Sequence, residues 1–227
     1  MNETLLNNPV WHSLGGAHAQ LGRSNALARR YRQEVTPIGA VAEPTDAAYA
    51  ALAQLTELGD VLYLGTSENP PLPACWVLEV EKPMLQMHLT KPAQTPAPVE
   101  FRELGPADSA RMVALAELTH PGPFGPEAWR MGRYIGVFEQ DKLVAMAGQR
   151  FTLPGLREIS AVCTHPDWQG RGLARALMNH LAAQIQRDQN MPFLHVVEEN
   201  QRASGLYERM GFVTARRLWV RVIRRVR

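Results

Sequence analysis

The segment HPDWQGRGLARALM (residues 165–178) holds residues whose types and spacing could bind an anion. A turn signal leads into the glycine-rich hexad QGRGLA (169–174), which continues without a break into a helical pattern. A helix N-terminus offers unpaired backbone N–H groups and the positive end of the helix dipole, and glycines let the backbone approach a bulky anion closely. Arg171 and Arg175 add positive charge. The segment therefore predicts a pyrophosphate site on the amides of residues 170–175.

Three phosphate-binding patterns differ in the residues that they require. A P-loop needs Gly-Lys-Ser/Thr, which is absent, and a dinucleotide-binding turn needs a third glycine where this chain has Arg175. The third pattern, Gln/Arg-x-x-Gly-x-Gly/Ala, is met in full by the hexad. A structural alternative, in which the glycines serve turn geometry alone, stays open at this point.

The segments around the hexad predict an alternation of strands and helices. Leucine or isoleucine recurs every fourth residue from Leu173 to Ile185, which predicts an amphipathic helix over 172–188. We predict the other elements as strands 99–104, 134–139, 143–148, 158–164, 192–197 and one or two within 212–227, with helices 106–118 and 200–211 and a helical turn at 127–131. The order β-α-β-β-β-α-β-α-β is typical of a mixed sheet with helices packed on it.

The proline-rich segment KPAQTPAPVE (91–100) predicts a semi-rigid linker and a domain boundary. We therefore expect an N-terminal α/β domain at residues 1–90, a linker at 91–98 and a catalytic domain at 99–227. Within the N-terminal part, a helix at 46–58 is predicted between its cap Thr45 and Gly59. The other elements expected there are strands 61–64, 76–80 and 84–89 and a helix within 21–33.

Composition and charge exclude several classes of protein. The chain has 227 residues, 45% of them hydrophobic and 20% charged, which does not favour disorder. A net charge of +2 is too small to indicate nucleic acid or membrane binding. The two cysteines, Cys75 and Cys163, form neither a disulfide framework nor a metal cluster, so no metal is expected. Since neither a signal peptide nor a membrane-spanning stretch is visible, we expect a cytoplasmic protein.

The C-terminal segment RRLWVRVIRRVR (216–227) contains six arginines in twelve residues. Nucleic-acid binding or attraction of an acidic substrate would be one use for this charge. The interpretation that the small net charge favours is a terminal strand whose charged, solvated face blocks edge pairing.

Two consecutive runs of the sequence resemble motifs of one known family. EISAVCTHPDWQGRGLARALM (158–178) resembles the acyl-CoA-binding motif of the GCN5-related N-acetyltransferase (GNAT) superfamily, and ENQRASGLYERMGF (199–212) resembles its next motif. VCTHPDWQGRGLA together with PFLHV resembles the FR47-like branch in particular. The resemblance covers residues 99–227 and implies an α/β (α+β) GNAT fold, a mixed, mostly antiparallel central sheet flanked by helices. The N-terminal part resembles the extra domain that some members carry, as a degenerate copy of the fold.

The resemblance also implies which residues bind the co-substrate, acetyl-CoA or another acyl-CoA. Backbone groups of the strand before the hexad would bind the pantetheine arm, and the amides of residues 170–175 would bind the pyrophosphate. An asparagine at the following helix start would contact the ligand. The residues implied are Val162, Cys163, Thr164, Gln169, Gly170, Arg171, Gly172, Leu173, Ala174, Arg175 and Asn200.

Catalysis of amine acylation needs a base for the amine and a proton donor for the departing thiolate. The resemblance implies Tyr207 as the proton donor. For the base, family positions offer Glu158 and His195, with a slight preference for Glu158, and a water relay remains an alternative. Cys163 alternates with apolar neighbours, so we expect a buried core residue and not an acyl-enzyme nucleophile.

The sequence thus predicts an acyl-CoA-dependent N-acyltransferase that transfers acetyl to a primary amine by direct attack in a ternary complex. The alternative is a non-catalytic module that binds or senses acyl-CoA. The expected partners are acyl-CoA and an amine acceptor, either a small molecule or a protein N-terminus or lysine, with no nucleic acid, no membrane and no metal. The acceptor and the choice between monomer and homodimer stay open.

Overall fold

A computed structural model of the chain describes residues 3–95 and 98–227, and the eleven strands in this part of the chain form one sheet. The sheet order is β1-β2-β3-β4-β11-β5-β10-β9-β8-β7-β6, with parallel pairing only for β3/β4 and β9/β10. The strands are β1 (Gly22–Ser24), β2 (Ala28–Tyr31), β3 (Ile38–Val41), β4 (Val61–Thr66), β5 (Trp76–His88), β6 (Arg102–Leu104), β7 (Tyr134–Glu139), β8 (Lys142–Leu153), β9 (Leu156–Thr164), β10 (Met191–Val197) and β11 (Val213–Arg225).

Helices pack on this sheet, and the described residues contain five α-helices and several 3-10 turns. The α-helices are α1 (Pro9–Leu14), α2 (Asp46–Gln54), α3 (Ser109–Thr119), α4 (Leu173–Arg187) and α5 (Gln201–Arg209). The 3-10 turns are Glu3–Asn7, Ala19–Leu21, Pro106–Asp108, Ala128–Met131 and Pro166–Trp168. From β6 onward the order β-α-β-β-β-α-β-α-β is the predicted one, and the predicted fold class is confirmed.

Helix α4 is positioned by its apolar stripe. Leu177, Leu181 and Ile185 are fully buried and belong to a core cluster shared with β7 to β10. Each such side chain, when fully buried, contributes about 1.5–3 kcal/mol. Because this stripe fixes α4 against β8 and β9, the exposed N-terminal turn of the helix points beyond the end of β9.

The C-terminal strand β11 corrects one prediction, because it is not an edge strand. It lies between β4 and β5 and pairs antiparallel with both. Its arginines form ion pairs, such as Arg221 with Glu81 and Arg224 with Glu79, and Arg221 is buried. The predicted charged face that blocks edge pairing is therefore wrong.

The sheet runs through both parts of the predicted domain division, since β5 pairs with β10 and β11. Residues 96 and 97 of the predicted linker lie outside the described residues. The boundary at 91–98 stays a prediction.

Several local predictions differ from the structure. The helix expected within 21–33 is wrong: this segment forms β1 and β2, because the Asn25 side chain accepts hydrogen bonds from the amides of Leu27 and Ala28 and closes a turn. Helix α2 begins after its predicted cap Thr45 but ends at Gln54, well before Gly59. The strand expected at 99–104 is limited to β6.

Other differences concern packing and continuity. In α3, Met112 and Leu115 are buried, whereas Leu118, at the end of the predicted helix, is 51% exposed. The two strands expected at 76–80 and 84–89 form the single strand β5, because β11 pairs with it along nearly its whole length.

Candidate active site

Strands β9 and β10 pair only at their beginnings and then separate. Their parallel register ends at Phe193 opposite Glu158, although β9 continues to Thr164 and β10 to Val197. Beyond that point β10 stays paired with β5, and β9 stays paired with β8. An extra residue in β9 near Ala161, whose φ is 51°, forms a bulge that increases the local twist. A gap in the sheet therefore opens toward the N-terminus of α4.

The turn at residues 165–172 connects β9 to α4. The His165 Nδ1 atom accepts a hydrogen bond from the Asp167 amide at 3.3 Å, so this histidine is a turn residue, as predicted. Gly170 and Gly172 have φ values of 80° and 77°, the left-handed region that favours glycine. A Cβ atom added at either glycine would meet no atom within 4 Å. Turn geometry therefore requires the glycines, and the space above them is open.

The amides of this turn are available to a ligand. Within the described part of the chain, no hydrogen-bond partner is found for the backbone N–H groups of residues 170–175, and the first helical bond of α4 starts at the Ala176 amide. Arg171 stacks on the Trp168 ring at 4.1 Å. This array of donors at a positive helix end can bind a pyrophosphate.

Two more arginines surround the turn. Arg175 donates to Gln94 at 2.6 Å, and Arg202 of α5 donates to Gln169 at 2.7 Å. Gln169 also contacts the Thr164 carbonyl oxygen at 3.5 Å. These contacts connect the turn to β9 and α5 and increase its positive charge.

A cavity of about 420 Å³ lies at the separation of β9 and β10. One wall is formed by the ends of those strands and by α5, including Val162, His195 and Tyr207. The opposite wall comes from the N-terminal part and β11, with apolar side chains such as Val10, Ile38, Met84, Leu218 and Val220. Residues 120–123 of the loop after α3 close one side. The size and mostly apolar lining are those of a small-molecule site.

Glu158, Arg150 and His195 form a buried cluster at the point where β9 and β10 separate. The Glu158 side chain is fully buried, and its carboxylate accepts two hydrogen bonds from Arg150, at 2.8 and 2.7 Å. His195 Nδ1 lies 2.6 Å from Glu158 Oε1. The structure therefore brings the two predicted candidate bases into direct contact.

The charges in this cluster fix the protonation state of Glu158. Burial raises the pKa of Glu158, but the charge and hydrogen bonds of Arg150 and the contact with His195 outweigh it and lower that pKa to about 2. On its other edge, His195 Nε2 lies 3.0 Å from the Gln86 amide nitrogen. A tautomer with the proton on Nδ1 satisfies both contacts, since Nδ1 then donates to Glu158 and Nε2 accepts from Gln86.

Tyr207 lies on α5 and lines the cavity. The residue is 9% exposed, and burial raises the pKa of its hydroxyl to about 12. No hydrogen-bond partner for this hydroxyl is found among the described residues. A buried phenol with this pKa stays protonated at neutral pH and can donate a proton.

Asn200 and Cys163 have defined local roles. The Asn200 side chain caps α5 by accepting from the Ala203 amide at 3.1 Å, and the residue also lines the cavity. Cys163 is buried in the cluster around α3, and burial raises the pKa of its thiol to about 11. A thiol with such a pKa is a poor nucleophile at neutral pH.

Three residues at the site could not be predicted from the sequence. Arg150 and Gln86 were not singled out, because a lone arginine or glutamine within a strand carries no pattern of its own. His120, which follows α3 with a φ of 49°, also lines the cavity, although its place beside a proline indicates only a turn. Only the fold brings these residues next to Glu158 and Tyr207.

Comparison with known proteins gives the class to which this architecture belongs. Residues 134–220 match the FR47-like protein family. A protein from Novosphingobium aromaticivorans, assigned as an acetyltransferase of the GNAT family, has a similar crystal structure. It is 33% identical in sequence, with a TM-score of 0.89 over 98% of this chain and 99% of that chain. A search of curated proteins found no match.

More distant structures share the fold. A GCN5-related N-acetyltransferase from Kribbella flavida is 17% identical, with a TM-score of 0.64 over 95% of this chain and 93% of that one. A GNAT-family acetyltransferase from Colwellia psychrerythraea is 13% identical, with a TM-score of 0.54 over 95% and 89%. The chain belongs to the GNAT family of acetyltransferases, and the predicted resemblance, including its FR47-like branch, is confirmed.

The described residues lack two features. No helix there is long and apolar enough to cross a membrane. No group of three or more His, Cys, Asp and Glu side chains there could hold a metal ion.

Proposed function

We propose that this protein is an acyl-CoA-dependent N-acyltransferase that transfers acetyl from acetyl-CoA to a primary amine by direct attack in a ternary complex. The observation that carries the proposal is Tyr207, which lines a cavity at the gap between β9 and β10 and whose hydroxyl lacks a partner among the described residues. A turn with unpaired amides lies at the other end of the same gap. Membership of the GNAT family supports the proposal.

The chain offers a separate group for each part of an acyl-CoA. In this proposal the amides of residues 170–175 bind the pyrophosphate, with Gln169, Arg171 and Arg175 shaping the turn. The bulged end of β9 presents Val162, Cys163 and Thr164 along the gap, where backbone groups are no longer paired with β10. Asn200 lines the cavity wall beside Tyr207. The thioester supplies the activated acetyl group.

Tyr207 acts as the proton donor to the departing thiolate. Its hydroxyl is protonated at neutral pH because its pKa is raised to about 12. Proton transfer from a positioned side chain contributes about 100- to 10,000-fold to such reactions.

In this proposal His195 accepts the proton of the amine, and Glu158 orients the His195 imidazole. Glu158 is a weak base at neutral pH, since its pKa is lowered to about 2 and both carboxylate oxygens are occupied. Its contact with Nδ1 orients the imidazole, so Nε2 is the atom with a lone pair. Because the Gln86 amide occupies that lone pair at 3.0 Å, the amine or a bridging water displaces this hydrogen bond before it transfers its proton to Nε2.

The experiment that tests the proposal is release of free thiol from acetyl-CoA in the presence of amine acceptors, with mass spectrometry of the acetylated product. Wild type and His195→Gln are compared across pH, and acetyl-CoA binding is measured for both by calorimetry. We expect turnover in wild type, a loss of rate in the variant across the pH range tested, and unchanged binding.

Other outcomes would identify the alternative. Binding of acetyl-CoA without turnover of any acceptor would favour a non-catalytic acyl-CoA-binding module. Absence of both binding and turnover would contradict the proposal.

A further inference from the structure

The charges that line the cavity indicate the chemistry of the acceptor. Among the lining residues within the described part of the chain are Arg150 and Lys82, and none is an aspartate or glutamate. Glu158 lies behind the wall, but its carboxylate is occupied by Arg150 and His195. An acceptor that carries several ammonium groups would therefore find cations and no free carboxylate.

The Arg150 guanidinium has N–H donors that Glu158 does not use. Its Nε and Nη2 atoms donate to Glu158, whereas no partner for Nη1 is found among the described residues. The side chain remains 15% exposed and lines the cavity. A guanidinium has five N–H donors in a planar fork, so one edge can hold Glu158 while the free end meets a second acceptor group.

A second buried arginine shows what a purely structural pairing looks like. Arg221 contacts Glu81 through Nε at 3.0 Å, and its Nη1 donates to the Pro70 carbonyl oxygen, also at 3.0 Å. Its Nη1 is thus occupied by a protein carbonyl oxygen, whereas Nε contacts Glu81 as an ion pair without a hydrogen bond. Arg150 differs because its corresponding nitrogen is left for the cavity.

We infer that the acceptor is a small amine that also carries a carboxylate, with an apolar body, and that Arg150 Nη1 binds that carboxylate. Twelve of the lining residues are valine, leucine, isoleucine or methionine, which fits an acceptor with an apolar body. Lys82, at the exposed side, is neutralised by Glu199 at 2.8 Å, which leaves the Arg150 fork as the cationic donor of the inner cavity. The inference rests on the proposed function and narrows its acceptor.

The absence of a carboxylate for the ammonium is consistent with the chemistry. Attack on a thioester requires the neutral amine, and an ion pair with a free carboxylate would stabilise the ammonium form. Binding of the acceptor through its own carboxylate positions the amine without stabilising its ammonium form. Arg150 is therefore a specificity-determining residue.

The test uses matched ligands that differ only in the carboxylate, together with one polyamine as a contrast. Alanine, leucine and phenylalanine are compared as acceptors with their amides, with the corresponding amines lacking the carboxylate, and with spermidine. In parallel, calorimetry in the presence of CoA compares each N-acetyl amino acid with its neutral amide. We expect at least one acid to bind more tightly than its amide by about 10- to 100-fold, as for a charge-assisted hydrogen bond.

The variant Arg150→Lys keeps a positive charge beside Glu158 but loses the second end of the fork. For the amino acid, we expect KM to rise by a similar factor of about 10 to 100 while acetyl-CoA binding is unchanged. Lys82→Met is the matched variant at the rim and tests whether the exposed cation has this role instead. A rise in KM for Lys82→Met but not for Arg150→Lys would contradict the assignment of Arg150.

The outcomes separate this inference from the proposed function. Turnover of spermidine or simple amines equal to or better than that of amino acids would overturn the inference and leave the acyltransferase in place. Tight binding of an acid without turnover would support the carboxylate site and contradict the proposed acyltransferase activity. Equal binding of acid and amide would overturn the inference whether or not Arg150→Lys folds.

Discussion

The turn at residues 169–175 and the cavity around Tyr207 lie at two ends of one gap in the sheet, yet they are built differently. The turn is a single exposed stretch whose donors are backbone N–H groups. The cavity is assembled from β9, β10 and α5 on one side and from the N-terminal part and β11 on the other. Backbone donors recognise a group common to many ligands, whereas side chains brought together by the fold define one reaction. Substitutions in the turn should therefore change binding, and those in the cavity should change turnover.

The largest effect in the cavity is expected for Tyr207→Phe. Removing the proton donor should lower kcat by about 100- to 10,000-fold, because a positioned acid contributes that much. Acetyl-CoA affinity should stay at the wild-type value, since the turn is untouched. Steady-state kinetics and calorimetry measure the two quantities.

Tyr49→Phe is the control for this change, since Tyr49 is buried in a separate cluster with α2 and β4. Its kcat should equal that of wild type. If Tyr207→Phe weakens binding and leaves kcat unchanged, the assignment of turnover to the cavity is wrong.

The next effect concerns the stability of the cavity floor. Glu158→Ala leaves Arg150 as a buried charge without its partner, which should lower the free energy of unfolding by about 3–5 kcal/mol. Glu198→Ala removes an exposed ion pair with Arg217 and should cost about 0–1 kcal/mol. Urea denaturation at neutral pH measures the unfolding free energy of both variants. Equal losses of unfolding free energy would show that the buried ion pair stabilises the fold no more than the exposed one.

The same cluster predicts a dependence of stability on pH. Folding lowers the pKa of Glu158 from its ordinary value of 4.5 to about 2, so its stabilising contribution is present above the higher value and is lost as pH falls toward the lower one. The difference in unfolding free energy between wild type and Glu158→Gln should therefore shrink between these two pH values. A difference that stays constant across this range would contradict the lowered pKa.

A smaller effect is expected in the turn for Arg171→Gln. Arg171 is exposed and stacked on Trp168, so its loss should weaken acetyl-CoA binding by about 2- to 5-fold, and the effect should diminish in high salt. The kcat should not change. Arg23→Gln, which removes an exposed ion pair with Glu57 in the N-terminal part, is the control.

The smallest effect is expected for Cys163→Ala. Because the thiol is buried with a raised pKa, we expect kcat close to the wild-type value and a loss of stability of about 1 kcal/mol. A loss of kcat as large as that expected for Tyr207→Phe would favour an acyl-enzyme on Cys163.

How much the sequence predicts follows the same division between turn and cavity. The hexad and the helix after it could be predicted because their residues are neighbours along the chain, and the buried stripe of Leu177, Leu181 and Ile185 repeats every four residues. Glu158 and His195 were both named, but their contact depends on the register between β9 and β10. The roles of these residues remain predictions.

Features set by distant pairing were not predictable from local pattern. The segment at 21–33 has apolar and charged residues compatible with a helix, but β2 forms there because β3 offers a partner. The arginine-rich β11 was expected at an edge and lies inside the sheet, where glutamates of β5 pair with its arginines. The place of Arg150 in the site follows only from its ion pair with Glu158 in the folded chain.

The most direct test of the central claim is thermal unfolding of the protein with and without acetyl-CoA, for wild type, Gly172→Glu and Gly59→Glu. Both glycines have positive φ and open space around an added Cβ, but Gly59 lies outside the turn. Acetyl-CoA at about 100 times its Kd should add about 2.7 kcal/mol, a shift in Tm of several degrees, to wild type and Gly59→Glu. The account predicts no shift for Gly172→Glu. An equal shift in all three proteins, or none in wild type, would contradict it.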